Sequence, residues 1–159
     1  MAPTNRERVG SALDLLKEGL TPYVKREMRA VYGRDWTVEA AYAINRDIPT
    51  INGADPELDV AALLQIVWKR WNEVFGKKLG QVERSIVSEL RDVRNRWAHQ
   101  ESFSSDDTYR VLDNIERLLR AVSAPEAAEI QRRKNEVLRI RFDEQTRNDV
   151  RRRASETPV

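Results

Sequence analysis

The chain contains no cysteine and a single histidine, His99. The first absence excludes disulfides, thiolate nucleophiles and cysteine-ligated zinc, and it suits a reducing compartment. The second excludes a zinc site of two or three imidazoles within one chain, so metal catalysis would need carboxylates alone, and no cofactor is expected. Glycine and proline are scarce, six of each in 159 residues, and alternating β-branched runs are few. That pattern argues for a mostly helical domain. Long apolar runs are also missing. None approaches the roughly 20 residues of a membrane helix, and Met1-Ala2-Pro3-Thr4-Asn5-Arg6-Glu7 lacks the apolar segment of a signal peptide. The expectation is a cytoplasmic protein with no membrane contact.

A strong excess of one charge is absent from the body. The net charge is +2, but residues 130–159 hold 9 Lys and Arg against 5 Asp and Glu, leaving 19 against 21 before them. Nonspecific attraction to phosphate would therefore come from the tail and be sensitive to salt. Glycine-rich phosphate loops, hydrolase elbows and metalloprotease helices are not found.

What is present is clear helix punctuation. Thr4 and Glu7 read as a capping box for a helix over about 5–19, with Val9, Leu13, Leu16 and Leu20 at helical spacing. Thr21-Pro22 reads as a restart of a second helix ending near Gly33. Residues 33–55 read as a long ordered connection with a short helix near Val38 to Tyr42. Asp55-Pro56-Glu57 signals another start, followed by a stripe of Leu64, Trp68, Trp71 and Phe75. Val82, Ile86, Leu90, Val93 and Trp97 give the cleanest amphipathic helix. Ser104 to Asp107 offer caps for a helix facing inward through Tyr109, Leu112, Ile115 and Leu119, and the paired acids read as cap residues rather than metal ligands. Ser123-Ala124-Pro125-Glu126 signals a last, charged helix to about Arg153, packing through Ile130, Val137, Leu138 and Ile140. These elements define an all-α bundle over 1–122 with a long ordered loop, and an extended charged C-terminal helix or linker to further domains over 123–159. Trp68, Trp71 and Trp97 read as core, and Trp36 and Tyr42 as candidates for a surface contact.

The chemistry, if present, centres on Arg94-Asn95-Arg96-Trp97-Ala98-His99. Imidazole exchanges protons near neutral pH, and arginine supplies a fixed bidentate cation for phosphate. Structural roles stay open: His99 as a cation at a helix C-terminus, and Asn95 as a local helix breaker. Five helical residues amount to about 140° of rotation and 7.5 Å of rise, so Arg94 and His99 do not share a face of one straight helix. A helix ending before His99 would relieve this.

In order along the chain, Asn5-Arg6-Glu7-Arg8-Val9-Gly10, Trp71-Asn72-Glu73-Val74-Phe75 and the Arg94 to His99 segment resemble the Swt-like subgroup of the HEPN superfamily (higher eukaryotes and prokaryotes nucleotide-binding). The resemblance covers about residues 4–122, with Arg94, Asn95 and His99 matching the arginine, polar residue and histidine of the family motif. It implies a helical bundle, commonly a homodimer, and in many members a metal-independent endoribonuclease with these residues in the dimer cleft. On that reading RNA is the substrate, in a defence or restriction-type system such as antiviral defence. It equally admits a noncatalytic module that dimerises or binds protein partners at the N-terminus of a larger ATPase-like or restriction-related protein.

Overall fold

The first helix begins where Thr4 Oγ1 accepts the Glu7 backbone N–H at 3.1 Å. In the computed structural model, which describes residues 2–49 and 54–156, this helix (α1) runs unbroken from Asn5 to Tyr32 with Pro22 inside it. The expected restart at Thr21-Pro22 does not occur. Pro22 lies on the exposed side, while Leu16, Leu20 and Val24 on the other face are fully buried. Burial of that face outweighs one missing backbone bond. The Thr21 hydroxyl, instead of capping a new helix, donates back to the Lys17 carbonyl at 2.6 Å.

A 3-10 turn at Gly33–Asp35 leads into α2, Trp36–Ile44, a longer helix than the one expected near Val38 to Tyr42. Part of the following connection, residues 50–53, lies outside the described residues. Helix α3 spans Val60–Lys69 and is capped by Asp59, whose carboxylate accepts the Ala62 N–H at 2.8 Å. The start expected at Asp55 is displaced because Asp55 pairs with Arg29 and Leu58 is buried before the helix opens. After α3, tight turns carry Trp71 and Val74 to a 3-10 turn at Phe75–Lys77.

Helix α4 spans Gln81–Ala98 and α5 spans Ser105–Ala121. The latter opens on a full capping box between Ser104 and Asp107. Helix α6 runs from Ala127 to Glu156. Ser123 does not cap it. Its φ is 59°, and its N–H and that of Ala124 donate to the Arg120 and Leu119 carbonyls, closing α5 in a Schellman motif.

No strand occurs among the described residues. Helix α1 packs against α5 and α3 and touches α2 and α4, and α5 also packs against α4 and α6. The centre of this bundle is a continuous set of fully buried side chains that includes Leu16, Leu20, Met28, Leu63, Ile66, Phe75, Leu90, Leu112, Ile115 and Leu119. Ile130 and Val137 join α6 to that core, whereas Leu138, expected to pack, is 46% exposed. No described helix is long and apolar enough to cross a membrane.

Candidate functional site

The motif occupies the C-terminal end of α4, and the chain turns sharply just after it. Ala98 is the last helical residue and His99 the cap, with its N–H still donating to the Asn95 carbonyl at 3.0 Å. Gln100 takes a left-handed φ of 60°. The N–H groups of Gln100 and Glu101 then donate to the Trp97 and Arg96 carbonyls, at 3.1 and 3.0 Å, which makes a second Schellman motif. Arg96 reinforces the turn, with Nε 2.9 Å from Glu101 and the guanidinium 4.7 Å from the Phe103 ring centroid.

The other side of this turn is held by the N-terminus of α1. Arg6 Nη1 donates to the Trp97 carbonyl at 2.7 Å, Trp97 Nε1 donates to the Arg6 carbonyl at 3.3 Å, and the Arg6 guanidinium lies 5.0 Å from the indole centroid. Asn5 Nδ2 reaches the Phe103 carbonyl at 3.1 Å. Gly10 lies under the same indole, where a Cβ would come within 2.9 Å of the ring. The expected core tryptophan is thus half-buried beneath Arg6. This clamp fixes the path of the backbone that carries His99.

Arg94, Asn95 and His99 lie within one six-residue segment at this helix end, but no hydrogen bond or ion pair joins their side chains among the described residues. The His99 and Asn95 side chains are exposed and Arg94 is half-buried. Arg94 belongs to a charge group that the sequence did not reveal. Asp59, the α3 cap, is 3.4 Å from Arg46 Nη2. Burial of Asp59 pushes its carboxyl up, but the Ala62 N–H, Arg46 and the nearby charge of Arg94 together hold it below the ordinary carboxylate range. Arg46, just past the end of α2, and Arg94, on α4, therefore both favour the charged form of the carboxylate that caps α3. Nothing local in the sequence signals this, since the residues are up to 48 positions apart.

Of the two aromatic candidates for a surface contact, Tyr42 is 74% exposed and Trp36 is buried, at 3%. Trp36 is covered by α1, with Arg29 5.6 Å from its ring centroid. Asp106 pairs with Arg141 at 2.6 Å and Asp107 closes the α5 capping box. Among the described residues, no three His, Cys, Asp or Glu side chains converge to hold a metal ion.

The arrangement offers a cation set into the helix side and an exposed imidazole at the helix end, the two group types that phosphodiester chemistry uses. Residues 11–123 match the family model described as Swt1-like HEPN. No curated protein and no solved structure matches the chain.

Proposed function

The chain belongs to the Swt1-like HEPN family, and on that premise we propose that it is a metal-independent endoribonuclease, acting as a homodimer in a defence or restriction-type system. Attack of a ribose 2′-hydroxyl on its neighbouring phosphate needs a base, an acid for the leaving 5′-oxygen, and positive charge on the developing phosphorane. One chain has one imidazole. Two copies about a twofold axis bring two His99 and two Arg94 to one cleft, and such isologous pairing is the commonest oligomer geometry. In this reading His99 is the general acid or base, Arg94 clamps the phosphate, and Asn95 orients substrate or arginine.

The observation that supports it best is the exposed His99 on a backbone turn fixed from both sides, by the Schellman motif and by the Arg6 to Trp97 clamp. A proton-transfer group benefits from such a fixed base. The protein is expected to cut RNA in EDTA and leave a 2′,3′-cyclic phosphate. His99→Ala, at an exposed position, should abolish cleavage with the melting temperature unchanged. Undiminished cleavage by that variant would sink the assignment.

The outer part of α6 favours a second reading, a noncatalytic partner-binding module. Residues 150–156 are all exposed on a continuous helix, a form suited to joining further domains or protein partners. That reading expects no RNA cleavage at high protein concentration, together with self-association or partner capture.

A further inference from the structure

The solvent face of α4 carries a row of side chains leading to His99. Successive steps of four, three, four and four residues place Arg84, Ser88, Arg91, Asn95 and His99 within one narrow stripe of the helix. At 1.5 Å per residue, Arg84 and Arg91 are about 10 Å apart along the axis, and Arg91 is about 12 Å from His99.

The two arginines differ from most others in the chain. Arg96, Arg110, Arg117, Arg120, Arg132 and Arg133, among others, pair with carboxylates. Arg84 and Arg91 have no carboxylate partner among the described residues. Both stack on Trp68 of α3 instead, with guanidinium carbons 4.7 and 5.8 Å from its centroid, and Arg84 is also 5.7 Å from the Trp71 centroid. Trp68 is only half-buried, so the apolar body of this indole serves as a shelf for two cations.

Stacking holds a guanidinium by its face and leaves its in-plane N–H donors for another partner. Arg84 Nε is itself buried with no partner, so a phosphate would meet the other N–H donors of this guanidinium. A partly dehydrated cation without a counter-charge is costly to the free protein. The same pre-organisation favours an external anion, because a planar, already ordered guanidinium loses little freedom on gripping phosphate.

We propose that this face is a track for a single RNA strand, in which Arg84 and Arg91, laid on Trp68, bind backbone phosphates and lead the strand to His99. The proposal rests on the ribonuclease reading and adds positioning residues outside the family motif. One strand is specified because the positive stripe is narrow: Asp92 flanks it, and beyond lies Glu89, already bonded to Arg110 and Asn114. A second backbone laid alongside would meet these acids.

The test is anisotropy of a labelled 12-nucleotide single-stranded RNA in the His99→Ala background, which keeps the probe intact, over a series of salt concentrations. Arg84→Gln with Arg91→Gln is expected to weaken binding about tenfold or more and to flatten the slope of log affinity against log salt by about 1.4, for two lost phosphate contacts on a single strand. Replacing both by Lys should restore the slope. Arg34→Gln, in the turn before α2, should change neither. Should the Arg84 variant melt early, Arg91→Gln alone carries the test, with a slope change of about 0.7. Binding in which affinity and slope survive the double substitution overturns the track while leaving the ribonuclease reading intact. Equal binding of a duplex of the same sequence overturns the single-strand assignment. Absence of both RNA binding and cleavage in the unsubstituted protein overturns the ribonuclease reading and the track together.

Discussion

Gly10 shows how one residue supports a site it does not touch chemically. A Cβ there would press into the Trp97 indole at 2.9 Å, and that indole is tied to Arg6 by two hydrogen bonds and a stacked guanidinium. Gly10→Ala should therefore cost about 1–3 kcal/mol, the usual range for overpacking. Urea denaturation measures the loss, and cleavage should fall with it because the turn carrying His99 shifts. A Gly10→Ala protein of unchanged stability would mean that the indole yields freely. Asp59 makes the complementary case. It caps α3, lies 3.4 Å from Arg46 and feels the charge of Arg94. Asparagine caps as well as aspartate does, so Asp59→Asn should retain stability near neutral pH while removing a carboxylate that competes with RNA phosphate for Arg94. Tighter RNA binding by a severalfold change in Kd is the expected result. Unchanged affinity would place Arg94 away from the bound phosphate.

At the scale of elements, what the sequence revealed depended on how each helix end is made. Ends written in side chains were legible: Thr4 at α1, Ser104 with Asp107 at α5. The C-terminal ends of α4 and α5 are made by backbone geometry at Gln100 and Ser123, where glycine would have announced the left-handed residue and glutamine and serine do not. Pro22 misleads for a different reason, since packing on both flanks carries α1 through it. The Arg94 to His99 segment stands out in the sequence because it is contiguous, whereas Arg46, Asp59 and the Trp68 shelf come together only in three dimensions. The α5 to α6 contact belongs to this scale too. Lys134 bridges Glu116 at 2.7 Å and Asp113 at 3.2 Å, with Arg120 on the far side of Glu116. Burial raises the Glu116 carboxyl, but the bonds from Lys134 and Arg120 outweigh it and hold the group below its ordinary range. A depressed carboxyl stabilises the fold fully above its unfolded pKa, and that contribution is lost as pH falls through the lower folded value. Lys134→Met should cost about 2–3 kcal/mol at neutral pH, less than the roughly 3–5 kcal/mol of breaking a fully buried pair, because the pair is partly exposed and Arg120 remains. The gap between variant and parent should close on acidification below about pH 4.5, near the unfolded carboxylate range. A gap independent of pH would contradict the pairing.

The whole molecule combines a closed bundle with a projecting arm, and α6 belongs to both. The part from Ala127 to Glu144 is held to the body from several directions: Ile130 and Val137 in the core, Arg8 to Glu136 at 3.3 Å, Arg141 to Asp106 at 2.6 Å, and Ser105 to Glu144 at 3.0 Å. Arg8 is itself almost fully buried, so this part of α6 supplies a counter-charge to α1 as well as apolar cover. Past Asn148 every residue but Asp149 is exposed through Glu156, with Arg151 and Arg152 among them. Such a helix receives little tertiary support, and its final turns contribute little to the stability of the bundle. Ending the chain after Asn148 should change unfolding free energy by no more than about 0.5 kcal/mol, the ordinary scale of surface changes. Ending it after Glu126 should lower the melting temperature sharply, because Val137 and Ile130 are removed and Arg8 is left buried without its partner. RNA cleavage separates the two readings of the arm. A nuclease whose strand runs along α4 keeps its activity when the arm is cut at Asn148, whereas a module that recruits partners through the arm loses their capture while the bundle stays folded.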